Sequence, residues 1–131
     1  MKQLLLILTC AILFFSCKKD NATNNLYKKW QWQNSVGGFS GHDSIAPSLD
    51  STVILNLMSD MIYNVQLNGQ IKASGTFQTS TIDNQKVIKL NNYSPVNKLY
   101  IQNQGATYTI IDNKLQLKDY NISEPYIHYF R

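Results

Sequence analysis

From Leu26 to the end of the chain, apolar side chains recur at every second residue rather than every third or fourth, and that period decides the fold class. Val53, Leu55 and Leu57 are spaced by Ile54 and Asn56, and Tyr63, Val65 and Leu67 by Asn64 and Gln66. Alternation of this kind belongs to antiparallel strands with one face in a core and the other in water. Turn residues separate the runs. Asn68-Gly69 is a strong two-residue hairpin signal, since a type I′ turn needs positive φ at both positions. Ser59-Asp60, Asp83-Asn84 and Asp112-Asn113 stand at equivalent places. The pattern predicts eight strands, at about 27–35, 52–58, 61–67, 70–79, 86–91, 106–111, 114–119 and 126–131. Eight strands linked mostly by hairpins either close into an up-and-down antiparallel barrel, which leaves no open edge, or flatten into a sandwich. The expected fold is the all-β barrel.

Strand parity assigns Leu55, Leu57, Tyr63, Val65, Leu67, Ile71, Ala73, Phe77, Tyr108, Ile110, Leu115, Leu117, Ile127 and Tyr129 to the interior, and turns His128 towards solvent. The exterior is neutral: Gln31, Gln33, Asn56, Asn64, Gln66 and Gln78 occupy it. Amides stand in for charge throughout, with 14 Asn and 10 Gln beside a charged fraction of 15%, low against the roughly 25% of typical domains. Two connections, 37–51 and 92–105, are too long for hairpins, and long loops of this kind commonly act as lids. The first carries Phe39, Ile45 and Leu49, with Gly37, Gly38 and Gly41 as hinges, and is expected to fold over the barrel mouth as a lid.

The N-terminus reads as an address. A basic Lys2, an apolar run from Leu4 to Phe15 and the small Ser16 make a secretory signal too short to span a membrane. Phe14-Phe15-Ser16-Cys17 resembles a bacterial lipobox, whose cysteine is acylated, as by palmitate, and becomes the first mature residue. Cys10 is a competing match, but it leaves a short apolar region and a mature chain that starts on hydrophobics. The division expected is 1–16 signal peptide, 17–25 lipidated cysteine and polar tether, and 26–131 barrel. Two or more acyl chains suffice for stable membrane anchoring. No cysteine follows Cys17, so no disulfide is expected.

Catalytic and metal chemistry find little footing. His42-Asp43-Ser44 holds the residue types of a serine relay, but adjacent residues do not converge as that relay requires. Glu124 is the only glutamate, and His42 and His128 are far apart with no cysteine or histidine beside either, so no enzyme, metal site or cofactor is expected. The net charge of +4 is scattered, which argues against nucleic acid. Asp43-Ser44-Ile45 and Asp50-Ser51-Thr52 resemble a bacterial O-glycosylation triplet at Ser44 and Ser51.

Taken in order, the lipobox, the tether, Trp30-x-Trp32, Ser35-x-Gly37-Gly38, Asp60-x-x-Tyr63, Asn68-Gly69, Gly75-x-Phe77, Leu115-x-Leu117 and Tyr129-x-Arg131 resemble the lipocalin-like lipoproteins of Gram-negative envelopes. The resemblance implies a calycin-type barrel in which the Arg131 guanidinium crosses the Trp30 indole and closes one end, a cation–π contact. The glycine that the family carries two residues before the tryptophan is Lys28 here. It also implies a protein anchored in the envelope through Cys17, in the outer membrane on its periplasmic or surface face. The expected ligand is a small apolar or amphipathic molecule inside the barrel, met by Phe39, Leu55, Tyr63, Phe77 and Tyr108. The alternative is a filled barrel that binds protein or glycan through its long loops. A monomer is expected.

Overall fold

A computed structural model describes residues 25–131. The signal peptide, the lipobox with Cys17 and most of the tether lie outside the described residues. The strands are β1 (Lys29–Gly37), β2 (Asp43–Ile45), β3 (Val53–Leu57), β4 (Ile62–Leu67), β5 (Gln70–Ile82), β6 (Gln85–Leu90), β7 (Ala106–Ile111), β8 (Lys114–Asp119) and β9 (Ile127–Phe130). Each pairs antiparallel with its neighbour from β3 to β9, and β1 pairs with both β3 and β9. Eight strands therefore close into a barrel, as the alternation predicts. Three of the four turns named above, Asn68-Gly69, Asp83-Asn84 and Asp112-Asn113, have positive φ at both positions, the type I′ geometry that matches the twist of flanking strands. At Ser59-Asp60 it is the following Met61 that takes positive φ, and Met61 N closes the turn on Met58 O.

The interior is packed. Trp30, Trp32, Val53, Leu55, Leu57, Tyr63, Val65, Phe77, Leu115, Leu117 and Phe130 form one buried cluster, with Tyr108 and Ile110 partly buried against it. Both indoles have buried acceptors: Trp30 Nε1 donates to Leu26 O at 2.8 Å and Trp32 Nε1 to Ser35 Oγ at 3.0 Å.

Bulges break strict alternation in two places. Between β4 and β5 the register passes from Val65–Ala73 to Gln66–Ile71, so Lys72 is the extra residue and Ile71 turns outward, 60% exposed. A second irregularity, between Trp32 and Asn34, shifts β1 against β9. On β9 it is His128 and Phe130 that are buried, while Ile127 and Tyr129 are only half-buried. The expected parity of this strand is thus reversed, because Phe130 fills the core and Arg131 does not.

The end of the barrel at Trp30 also differs from expectation. Arg131 is exposed, and its backbone exchanges two hydrogen bonds with Gln31. The cation over Trp30 is Lys28, whose Nζ stands 4.0 Å from the ring centroid and hydrogen-bonds Asn113 Oδ1. Lys28 therefore supplies the contact assigned above to Arg131.

The long connections behave differently from each other. The first adds β2, which pairs with β1 through Ser35–Ile45, Val36–Ser44 and Gly37–Asp43 outside the barrel ladder. Phe39 and Leu49 project into solvent at 89% and 102% exposure, so neither covers a mouth; only Ile45 packs on the core. The second runs from the end of β6 to the start of β7 and buries Tyr93, Val96, Leu99 and Ile101 in the core cluster. It is a plug. Tyr93 Oη donates to Leu99 O at 2.8 Å, fixing the loop on itself. Its first residue sits against Gly75, where a Cβ would lie 2.5 Å from Asn91 O; only glycine admits that approach. The same carbonyl accepts the Tyr63 hydroxyl at 3.0 Å.

Candidate functional site

Two places gather chemistry-bearing groups. At the plugged end, three neighbouring strands each contribute one inward polar side chain: Ser35 from β1, His128 from β9 and Asp119 from β8, all buried. Ser35 pairs with His128 and Asp119 ends the adjoining strand, so the ladder alone brings them together. Ser35 Oγ lies 2.7 Å from His128 Nδ1, and His128 Nε2 lies 3.2 Å from Asp119 Oδ1. One consistent proton order runs through them. Trp32 Nε1–H donates to Ser35 Oγ, Ser35 Oγ–H donates to Nδ1, and Nε2–H donates to the carboxylate. Asp119 also accepts from Tyr126 N at 3.1 Å and Gln102 N at 3.4 Å. One carboxylate therefore ties the plug, the β8–β9 connection and β9 together.

These are the side-chain types of a hydrolase relay, but the arrangement is a brace. A serine nucleophile must reach substrate, and this hydroxyl is enclosed, accepting from an indole and donating to an imidazole. The carboxylate meets Nε2 and the serine meets Nδ1, the reverse of the usual relay. His128, expected to face solvent, is its centre.

The second place is a cleft on the barrel's side. β6 and β7 pair only through Val87–Thr107 and Ile88–Ala106. Beyond these the strands part, leaving a cleft of about 510 Å³ lined by Leu26, Asn84–Lys86 and Thr107–Ile111. Leu26, Tyr108 and Ile110 belong to or pack against the core, while Lys86 brings a single charge to the rim. Burial raises the Tyr108 hydroxyl pKa, and Tyr27 nearby raises it further. At neutral pH this hydroxyl is a neutral donor or acceptor.

The five residues expected to meet a ligand do not share a site. Leu55, Tyr63 and Phe77 are core residues. Tyr108 lines the side cleft. Phe39 belongs to a shallow depression of about 440 Å³ near Gly38, Lys118 and Tyr129. The cleft was legible only as polarity: Gln78 to Lys86 contains just one large apolar residue, Ile82, too few for a strand segment packed on a core. Comparison with known proteins finds no matching family model, no similar curated protein and no similar solved structure.

Proposed function

We propose that the protein is an envelope lipoprotein, tethered by acylated Cys17, whose barrel holds a small amphipathic molecule in the cleft between β6 and β7. The cleft carries this reading. Its volume falls within the roughly 300–1,000 Å³ of small-molecule sites, and its lining divides as an amphiphile would require. Leu26 and Ile110 offer apolar surface, whereas Tyr108, Thr107, Thr109 and Lys86 offer hydrogen bonds and one positive charge. The packed interior favours this lateral site over the lumen.

Native mass spectrometry of the protein extracted from its own membranes tests the proposal. A stoichiometric non-covalent adduct is expected, and Thr109→Trp, which fills the cleft from its exposed rim, should abolish it without shifting the melting temperature. Wild-type protein without adduct, together with no binding of a fluorescent amphiphile, would sink the reading. Cys17→Ser should release the protein from the membrane fraction; unchanged fractionation argues against the anchor alone.

The second reading, a surface module binding protein or glycan, rests on a different observation. Phe39 and Leu49 stand in solvent on the first long connection, and Phe39 lines the depression around Gly38–Gly41. Phe39→Ser would weaken that binding and leave the cleft untouched.

A further inference from the structure

Past Phe77 the β5–β6 hairpin leaves the barrel as an arm. Every residue from Gln78 to Lys86 is exposed, on both faces of the ribbon. The β4–β5 ladder stops at Ile62–Thr76, with one last bond from Phe77 N to Met61 O. From Gln78 to Ile82, β5 has β6 on one side and, among the described residues, no strand on the other.

The turn determines which backbone groups face that open side. In a two-residue hairpin the flanking pair, here Ile82–Gln85, is hydrogen-bonded. Alternation along the strand then points the amides of Ser80 and Gln78 at β6 and those of Thr79 and Thr81 outward. The outward N–H of Phe77 fits the same parity.

Exposed edges invite another strand, and proteins usually guard them with charge, proline or a bulge. The other side of the arm is guarded by Lys86 and Lys89 on β6. The open β5 edge is not: residues 78–82, QTSTI, contain no charge and no proline, and the register with β6 is unbroken.

We propose that this edge is an interface for a second copy of the chain, pairing β5 with β5 antiparallel about a two-fold axis through Ser80. The segment is complementary to itself. Gln78 meets the second copy's Ile82, Thr79 meets its Thr81, and Ser80 meets its Ser80. The Thr79–Thr81 pairs are then the hydrogen-bonded ones, so the outward N–H and C=O of both threonines find partners in each copy. No like charges face one another, and threonine pairs across strands are favourable. The contact is isologous and closes at two copies. A five-residue ladder is smaller than a standard interface, so the dimer forms at high concentration and is best captured covalently. The pairing replaces the monomer expected from sequence, and it does not depend on the cleft or its ligand.

Disulfide trapping in the full chain, with Cys10 and Cys17 replaced by Ser, tests the register. Ser80 faces its counterpart at a non-hydrogen-bonded position, where Cα atoms approach to about 4.5 Å, within disulfide range. Ser80→Cys should dimerise under mild oxidation roughly tenfold faster than Gln70→Cys, a control at another exposed turn. Thr81→Pro removes an outward N–H at an edge, where proline is tolerated. It should shift the parent chain to monomer in sedimentation velocity while keeping its melting temperature. Equal trapping at positions 80 and 70 overturns the proposal. So does trapping of Ser80→Cys that appears only once residues 18–24 are deleted, since the chain's own N-terminal segment would then be the strand on this edge. Capture of a different protein in place of a second copy overturns it as well.

Discussion

The two long connections have similar lengths and opposite fates. One buries four large apolar side chains in the barrel; the other leaves Phe39 and Leu49 in water and secures itself by three backbone pairs to β1. Apolar content alone does not separate them. The plug is sealed by polar partners as well: Asn91 O takes the Tyr63 hydroxyl, Leu99 O takes the Tyr93 hydroxyl, and Asp119 takes Gln102 N. A loop enters a core only if its backbone groups find partners there. Beyond β2 the first connection is held only at the surface: Asn68 Nδ2 donates to Asp50 O at 3.4 Å, and Ser48 Oγ donates to Asn97 Oδ1 of the plug at 3.2 Å, both exposed.

Truncation is the harshest way to break that contrast. Leu99→Ala removes a fully buried plug residue and should cost about 2–5 kcal/mol. The double change Phe39→Ser and Leu49→Ser should fall within about 0.5 kcal/mol, as expected of exposed positions. Urea midpoints measured side by side decide it. Equal losses would mean that the first connection contributes to the core after all.

The polar brace comes next in size. His128→Leu leaves the buried Ser35 hydroxyl without an acceptor and takes from Asp119 Oδ1 one of its two donors, at about 1–3 kcal/mol for the unpaired hydroxyl. Because Asp119 also holds Gln102 and Tyr126, amide exchange in the plug and in the β8–β9 connection should quicken together. Exchange that quickens in one segment only would show that the brace does not couple them.

How far the sequence foretold these regions follows from what each depends on. The barrel was legible because period-two alternation and three type I′ turns are local signals. The β9 parity was not, since Tyr126-x-His128-x-Phe130 and Ile127-x-Tyr129-x-Arg131 alternate equally well, and a bulge on a distant strand chooses between them. Ile71 failed for the same reason: one extra residue, Lys72, reverses a face. The Ser35–His128–Asp119 brace joins residues from three strands and depends on that parity, so no spacing announces it. Plug and lid could be told apart only by the partners they find in the folded chain.

A smaller effect sharpens the contrast through pH. Burial, followed by Tyr63 beside it, raises the Tyr93 pKa far above its ordinary value of 10.0. The folded protein keeps this phenol neutral, whereas the unfolded chain ionises it near pH 10. Its contribution is therefore intact below about pH 10 and lost as pH climbs towards the folded value. Tyr93→Phe should weaken the protein at neutral pH by the hydrogen bond to Leu99 O, about 0.5–1.5 kcal/mol, and flatten the alkaline decline. A decline as steep in the variant would assign it to Tyr63 or Tyr108, whose pKa values burial also raises.

The least effect is expected where the first connection is shortened. Deleting residues 46–51 and bridging β2 to β3 with two glycines removes Leu49 and the Ser48–Asn97 bond while leaving the β1–β2 pairs in place. Closure entropy changes slowly with loop length, so stability should move by about half a kilocalorie per mole or less. Ligand exchange gives this deletion its value. Residues 46–51 are absent from the cleft lining, which lies between β6 and β7, so release of an amphiphile from that cleft should proceed at the wild-type rate. Faster release at unchanged stability would place the entrance beneath this connection, restore it as a lid, and move the site away from the cleft.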